Sequence, residues 1–169
     1  EQTGLLDVEL HPDYAENHRI YLSYTIADEE TGKFHLTAVA RATLEGDQLL
    51  DVQQILAAEP LSWSPSNFGG ALEFDDQGYL YVGIGDRSEH NFAQDTMRLQ
   101  GKILRLNDDG SVPPDNPFAG VKGHDARIYA IGVRNPQGLH FDPVSRRLFE
   151  AEHGPMGGDE VNIIRAGAN

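Results

Sequence analysis

The sequence predicts an all-β fold in which four-stranded antiparallel sheets repeat as the blades of a β-propeller. Three stretches share one pattern, namely a glycine, an alternating strand, a polar turn, and a second strand with aromatic and β-branched residues. Their first glycines, Gly4, Gly70 and Gly138, lie 66 and 68 residues apart. A repeated four-stranded unit is typical of propeller blades. A β-sandwich with chance similarity between its hairpins is the alternative.

Each repeat begins with a hairpin, and further strands are expected between the hairpins. The repeats read GLLDVELHPDYAENHRIYLSYT, GALEFDDQGYLYVGIGD and GLHFDPVSRRLFEAEHG. The additional strands are predicted at Phe34–Leu44, Val52–Leu56, Lys102–Leu106 and Ile128–Val133. Helical periodicity is poor, and only Asn91–Gln100 is expected to hold a helical turn or two. A propeller closes with roughly four to eight blades and this chain holds about two and a half, so we expect a fragment of a larger propeller.

Composition limits the classes of function. The 169 residues carry 13 Lys and Arg against 27 Asp and Glu, a net charge of −14. This balance disfavours a nucleic-acid or anionic membrane partner and suits cation binding. The absence of Cys excludes disulfides and thiolate metal sites, and no apolar run approaches the ~20 residues of a membrane span. No signal peptide is visible, and a chain that starts at Glu1 is expected to be an internal piece.

The segment EAEHGPMGGDEVN, at residues 150–162, places four carboxylates within eleven residues. Its proline and glycines exclude a helix, and the pattern gains nothing from a strand face. A Gly-Pro in a tight turn can aim successive carbonyl oxygens at one ion, and Ca²⁺ accepts backbone carbonyls among its oxygen ligands. The alternative for Gly154 and Pro155 is an ordinary turn between blade strands.

Four stretches, taken in order, resemble the soluble quinoprotein sugar dehydrogenases, the glucose/sorbosone dehydrogenase-like family, with the aldose sugar dehydrogenase branch most similar. They are QTGLLDVELHPDY at 2–14, NFGGALEFDDQGYLYVGIGDR at 67–87, LQGKILRLNDDGSVPPDNPF at 99–118, and IGVRNPQGLHFDP with EHGPMGGDEVNII at 131–164. The resemblance implies a six-bladed propeller that binds pyrroloquinoline quinone (PQQ) through calcium and oxidises the C1 hydroxyl of aldoses. It implies that residues 1–169 form one partial propeller domain, without the opening blade and the C-terminal blades.

The resemblance also assigns cofactor and metal roles. The carbonyl oxygens of Gly154 and Pro155 are expected to hold the calcium that bridges to PQQ. Glu160 is expected to bind a separate structural calcium, the alternative being a solvated acidic pair with Asp159. An Arg provides a planar fork of donors for carboxylate or quinone oxygens, and an Asn offers both a donor and an acceptor. The residues matched to PQQ or to its pocket are Gln2, Arg134 and Asn135.

Position 67 departs from the family pattern. The family's general base is a His just before Phe-Gly-Gly, and this chain has Asn67 there and Ala71 where an Arg is common. An amide cannot accept a proton near neutral pH. His90 lies 23 residues away, beyond the following strand, and neither it nor His153 is expected to substitute. Four interpretations stay open: a weak enzyme or one with another base, an enzyme with a shifted substrate, a cofactor-binding or non-catalytic propeller binding module, and a local misalignment of this segment with the family pattern.

The expected partners follow from the same resemblance. They are an aldose substrate and an electron acceptor that the sequence does not identify, with a periplasmic or secreted location. A propeller that binds a protein or carbohydrate without redox chemistry is the rival of a different class. A calcium-dependent propeller hydrolase is disfavoured because the motifs are those of quinoproteins, and an NAD site is disfavoured because the segment GIGD lacks the strand–loop–helix context.

Overall fold

The computed structural model describes residues 2–169 and contains three antiparallel sheets. The first sheet consists of β1 (Leu5–Leu10), β2 (Arg19–Ala27), β3 (His35–Glu45) and β4 (Gln48–Ala57). The second consists of β5 (Gly69–Phe74), β6 (Leu80–Ile84), β7 (Lys102–Leu106) and β8 (Ile128–Ile131). The third consists of β9 (Pro136–Asp142), β10 (Arg147–Glu152) and β11 (Glu160–Ile164). The helical segments are α1 (Tyr14–Asn17) and 3-10 turns at His90–Gln94 and Pro155–Gly157, none of which could cross a membrane within the described chain.

The first strands of the three sheets lie side by side. Strand β5 packs against β1 on one side and against β9 on the other. Asp7 of β1 accepts a hydrogen bond from the backbone nitrogen of Leu72 in β5, at 2.9 Å, and Glu73 of β5 accepts one from the backbone nitrogen of Phe141 in β9, at 3.1 Å. Each sheet is therefore joined to the next by the same kind of bond, and the radial repetition is that of propeller blades.

Two apolar layers fill the spaces between the sheets. Leu80, Val82 and Ile84 of β6 pack into the layer between the first and second sheets. The intervening Tyr81 packs into the layer between the second and third sheets, together with Leu148 of β10. Because successive side chains of a strand point to opposite faces, a strand between two layers is apolar at nearly every position. This explains why β6 and β7 are buried along their whole length.

The predicted strands are present, with shifted ends. The segment predicted at Phe34–Leu44 is β3, and Val52–Leu56 is the inner part of a longer β4, whose first residues are exposed and do not alternate between apolar and polar. The helical turn expected at Asn91–Gln100 is a 3-10 turn at His90–Gln94.

The interpretation of residues 150–162 as unsuited to a strand is wrong. Glu150 and Glu152 lie in β10, and Glu160 begins β11, so that only the residues between these strands form a turn. Glu152 stands directly opposite Glu160, and Glu150 stands opposite Asn162. The amide of Asn162 lies between the carboxylates and provides the donor that the sequence pattern alone did not suggest.

Candidate functional site

The residues matched to a cofactor pocket come together because they occupy equivalent positions in the three sheets. Gln2 precedes β1, Asn67 precedes β5, and Arg134 and Asn135 precede β9. Since the first strands lie side by side, the loops that lead into them meet at one end of the sheets. The turn that contains Gly154 follows β10, which is antiparallel to β9, so it reaches the same end.

Asn135 ties the second sheet to the third. Its side chain is buried, and its Oδ1 accepts hydrogen bonds from the backbone nitrogen of Gly69 at 3.1 Å and from Nε2 of Gln137 at 2.9 Å. Gly69 has a φ of 67°, and a Cβ there would lie 2.7 Å from the carbonyl oxygen of Gly83. The glycine is therefore needed for the close approach of this backbone to that of β6.

Arg134 links the loop before β9 to the turn after β10. Its Nη1 donates to the carbonyl oxygens of His153, at 2.7 Å, and Gly154, at 3.1 Å. Its own carbonyl oxygen accepts a hydrogen bond from the backbone nitrogen of Asp86 at 2.7 Å. The Nε atom is buried and has no hydrogen-bond partner within the described chain. An unpaired donor on a cationic group fits an anionic ligand that would accept from it.

The turn at 153–159 depends on a glycine. A Cβ on Gly154 would lie 1.7 Å from the carbonyl oxygen of Gly158, so only glycine allows the two segments to approach this closely. The backbone nitrogen of Gly154 donates to Asp159 at 3.1 Å, and the carbonyl oxygen of Pro155 accepts from the nitrogen of Gly158 at 3.2 Å. Of the two carbonyls matched to a calcium, that of Gly154 faces a cationic group and that of Pro155 is engaged within the turn.

Three carboxylates surround one amide beside this turn. Nδ2 of Asn162 lies 3.2 Å from Glu150, 3.5 Å from Glu152 and 3.4 Å from Glu160. Glu150 is 1% exposed, and burial, with the neighbouring charges of Glu152 and Glu160, raises its pKa to about 7. Its Oε1 has no partner in the described structure. Within residues 2–169, however, no three acidic or histidine side chains are arranged to hold a metal ion.

Asn67 is held on three sides. Its backbone nitrogen donates to Oε1 of Gln2 at 3.0 Å, its carbonyl oxygen accepts from the nitrogen of Arg87 at 3.2 Å, and its Nδ2 donates to Oδ1 of Asp86 at 2.9 Å. The residue has a φ of 55°, a conformation in which Asn is several-fold enriched among non-glycine residues. The side chain is buried and serves as a donor, not as a base.

Sequence reasoning missed Asp86 and set His90 aside, and the structure brings Asp86 to Asn67 and His90 to Asp86. Nδ1 of His90 lies 3.2 Å from Oδ2 of Asp86, whose other oxygen accepts from Asn67. The register of the β5–β6 hairpin indicates this proximity, because Gly69 pairs with Ile84 across the two strands. Residues just before the first strand must therefore lie beside residues just after the second, whatever their separation in sequence.

The sequence pattern of the family described as glucose/sorbosone dehydrogenase matches residues 1–169. The chain is 44% identical to aldose sugar dehydrogenase YliI of Escherichia coli (strain K12), over 99% of this chain and 45% of that protein. It is 37% identical to quinoprotein glucose dehydrogenase B of Acinetobacter calcoaceticus, over 99% of this chain and 39% of that protein. The chain thus spans about half the length, or less, of these curated relatives.

Two solved structures resemble the three sheets closely. The soluble aldose sugar dehydrogenase from Escherichia coli in the apo-form has a TM-score of 0.93 at 44% identity, over 99% of this chain and 48% of that one. The PQQ-bound form of aldose sugar dehydrogenase from Streptomyces coelicolor has a TM-score of 0.84 at 34% identity, over 99% of this chain and 47% of that one. Because these neighbours are β-propellers, the predicted fold class is confirmed.

Proposed function

The chain belongs to the glucose/sorbosone dehydrogenase family, and we propose that the protein it forms oxidises the C1 hydroxyl of aldoses with PQQ and calcium. One observation carries the proposal. Arg134 is hydrogen-bonded to Gly154 in the turn after β10, and its neighbour Asn135 is hydrogen-bonded to the start of β5, at the same end of the sheets as Asn67. Support comes from a relative that is named as an aldose sugar dehydrogenase and from a structural neighbour with PQQ bound.

We assign PQQ binding to Arg134 and Asn135, with Gln2 at the edge of the pocket. PQQ carries three carboxylates, which suit the guanidinium of Arg134 and its unpaired Nε. When bound, it supplies the two-electron oxidising capacity that no side chain of the protein has. The protein's part is to hold this anion in one orientation. The buried Asn135, fixed by Gly69 and Gln137, is suited to that task.

We assign the cofactor's calcium to the carbonyl oxygens of Gly154 and Pro155. The oxygen of Gly154 accepts a hydrogen bond from Arg134 and that of Pro155 accepts one from Gly158, and each oxygen keeps a second lone pair that could face a cation. Since no acidic cluster in residues 2–169 is arranged to hold a metal, backbone and cofactor oxygens have to supply most of the ligands. A separate structural calcium bound by Glu160 would offset the repulsion between the carboxylates of Glu160 and Glu152, which stand opposite each other in β11 and β10.

The test uses the full-length protein that contains this chain. We expect reduction of an electron-acceptor dye by glucose when PQQ and Ca²⁺ are both present, and none when Ca²⁺ is chelated. The physiological electron acceptor is unidentified, and a periplasmic or secreted location is proposed from the family resemblance alone. The blades outside this chain would supply the remaining cofactor contacts and much of the sugar pocket.

Asn67 favours a second candidate, a propeller that keeps the cofactor motifs without the catalytic step. Its side chain donates to Asp86 and has no basic lone pair. Under this alternative the folded protein binds PQQ and calcium, measured by absorbance, but shows no dye reduction with any aldose. Turnover that depends on PQQ and calcium would exclude it.

A further inference from the structure

We propose that His90, oriented by Asp86, accepts the proton of the sugar hydroxyl in this protein, in place of the side chain at position 67. The inference rests on the proposed function, because it names the base of that same reaction. The amide of Asn67 cannot take the proton, and its Nδ2 is already committed as a donor to Asp86. Proton removal from the sugar therefore requires another basic group close to Asn67 and Asp86.

Asp86 connects the two positions. Its carboxylate is 2% exposed, and its Oδ1 accepts hydrogen bonds from Nδ2 of Asn67 at 2.9 Å and from the backbone nitrogen of Ser88 at 2.7 Å. Its Oδ2 lies 3.2 Å from Nδ1 of His90. The donors on Oδ1 fix the plane of the carboxylate, so Oδ2 presents a fixed acceptor to the imidazole ring.

This contact determines which nitrogen of His90 is basic. When Nδ1 carries the hydrogen that bonds to Asp86, Nε2 is the nitrogen with the free lone pair. The side chain of His90 is 75% exposed within the described residues, so the ring is open to solvent.

The backbone of His90 is also fixed. His90 begins the 3-10 turn His90–Gln94. Within this turn the carbonyl oxygen of Phe92 accepts from Nζ of Lys102 at 2.6 Å, and the carbonyl oxygen of Ala93 accepts from the nitrogen of Gly132 at 3.1 Å. The turn is thus anchored to β7 and to the loop after β8, and the imidazole does not depend on a free loop for its position.

The proposed step is balanced as follows. The O–H bond of the C1 hydroxyl breaks, and its proton passes to Nε2 of His90, which becomes an imidazolium beside Asp86. The C–H electron pair of C1 leaves as hydride to the quinone oxidant of the proposed function, and a C1 carbonyl forms. The imidazolium then returns its proton to water. Loss of a general base typically lowers the rate by roughly 10²–10⁴-fold.

The experiment exchanges the base between two positions in the full-length protein with PQQ and Ca²⁺. We expect His90→Gln to lower kcat for glucose by at least roughly 100-fold, and the double variant N67H with H90Q to regain a large part of that loss. His140→Gln, a change of an exposed histidine on β9, is the matched control and should leave kcat unchanged. The affinity for PQQ, measured by absorbance titration, should be the same in all four proteins.

The possible failures are distinguishable. Absence of turnover in the unchanged protein overturns the proposed function, and this inference with it. If the unchanged protein turns over and His90→Gln keeps that turnover, the inference is overturned and the proposed function stands. The same conclusion follows if His90→Gln loses turnover only in proportion to its loss of PQQ affinity. An independent measurement uses histidine-labelled, cofactor-free protein, in which nitrogen NMR at pH 8 should show Nε2 of His90 as the unprotonated nitrogen, with the other tautomer increasing in Asp86→Asn. A lone pair on Nδ1 in the unchanged protein would contradict the Asp86 contact and overturn the inference.

Discussion

The Oε2 atom of Glu152 lies 3.2 Å from the backbone nitrogen of Asn135 and accepts its hydrogen bond. The same oxygen accepts a hydrogen bond from the backbone nitrogen of Arg134. A single carboxylate at the end of β10 therefore fixes both residues that we assign to PQQ, while the guanidinium of Arg134 reaches back to the turn that follows Glu152. The loop before β9 and the proposed calcium turn are thus held as one unit.

Glu152→Ala should weaken PQQ binding. The change leaves two backbone donors without their charged acceptor, and hydrogen bonds to charged groups contribute about 1.5–3 kcal/mol each. Because part of this loss is recovered by water, we expect the dissociation constant for PQQ to rise by about 10- to 100-fold. Absorbance titration of PQQ into the calcium-loaded protein provides the measurement.

Two further variants separate positioning from general stability. Glu152→Gln retains an acceptor oxygen and should restore most of the affinity, and Glu45→Ala, at an exposed strand end, should change nothing. Equal PQQ affinity in Glu152→Ala and the unchanged protein would show that the loop before β9 keeps its shape without this carboxylate.

Arg134→Lys should reduce PQQ affinity although it keeps the charge. Nη1 of Arg134 bonds to the carbonyl oxygens of His153 and Gly154, and a single ammonium cannot provide that contact and a free Nε–H together. We expect at least about a tenfold rise in the dissociation constant. Arg146→Lys, which alters an exposed pair with Asp76, is the control. Unchanged binding by Arg134→Lys would remove this residue from the proposed cofactor site.

The fold was largely predictable because its strands obey local rules. Strands β3, β7 and β8 were identified from apolar and β-branched runs bounded by turns. The carboxylates of residues 150–162 were misread, because cross-strand pairing with Asn162 is not visible in a single strand. The start of β4 was missed since an exposed outer strand has little apolar periodicity.

The site was predictable only in part, and for a different reason. Gln2, Asn67 and Asn135 were identified by resemblance, and their roles are predictions still. Asp86 and Glu152 were missed because each acts through a hydrogen bond to another residue's backbone or amide, which no spacing rule reveals. His90 was discounted by its distance in sequence, although the β5–β6 hairpin register returns the chain to Asn67.

Gly154→Ala should distort the proposed calcium turn. Its Cβ would overlap the carbonyl oxygen of Gly158, so the turn must open and the carbonyl of Gly154 must move. We expect the increase in melting temperature on adding Ca²⁺ and PQQ to be lost or reduced severalfold. Gly158→Ala is the matched control, since its Cβ would meet no atom closer than 3.4 Å. A full ligand-induced shift in Gly154→Ala would argue against calcium ligation by this turn.

Lys102 gives the fold a dependence on pH. Its ammonium is buried and donates to the carbonyl oxygens of Phe92 and Gln100, and burial lowers its pKa from 10.5 to about 8. Between these values the unfolded chain binds the proton more tightly than the folded one. The free energy of unfolding contributed by this group therefore rises with pH from about 8 to 10.5 and is lost as pH falls from 10.5 to about 8.

Comparison of the unchanged protein with Lys102→Met tests this sign. The full shift corresponds to at most about 3 kcal/mol. Denaturant titrations at pH 7, 8, 9 and 10 should show the unchanged protein gaining stability relative to Lys102→Met as pH rises. Lys122→Met, at an exposed loop residue, should follow the unchanged protein. Parallel curves for Lys102→Met and the unchanged protein would mean that the buried ammonium titrates normally, in spite of its position under the turn that bears His90.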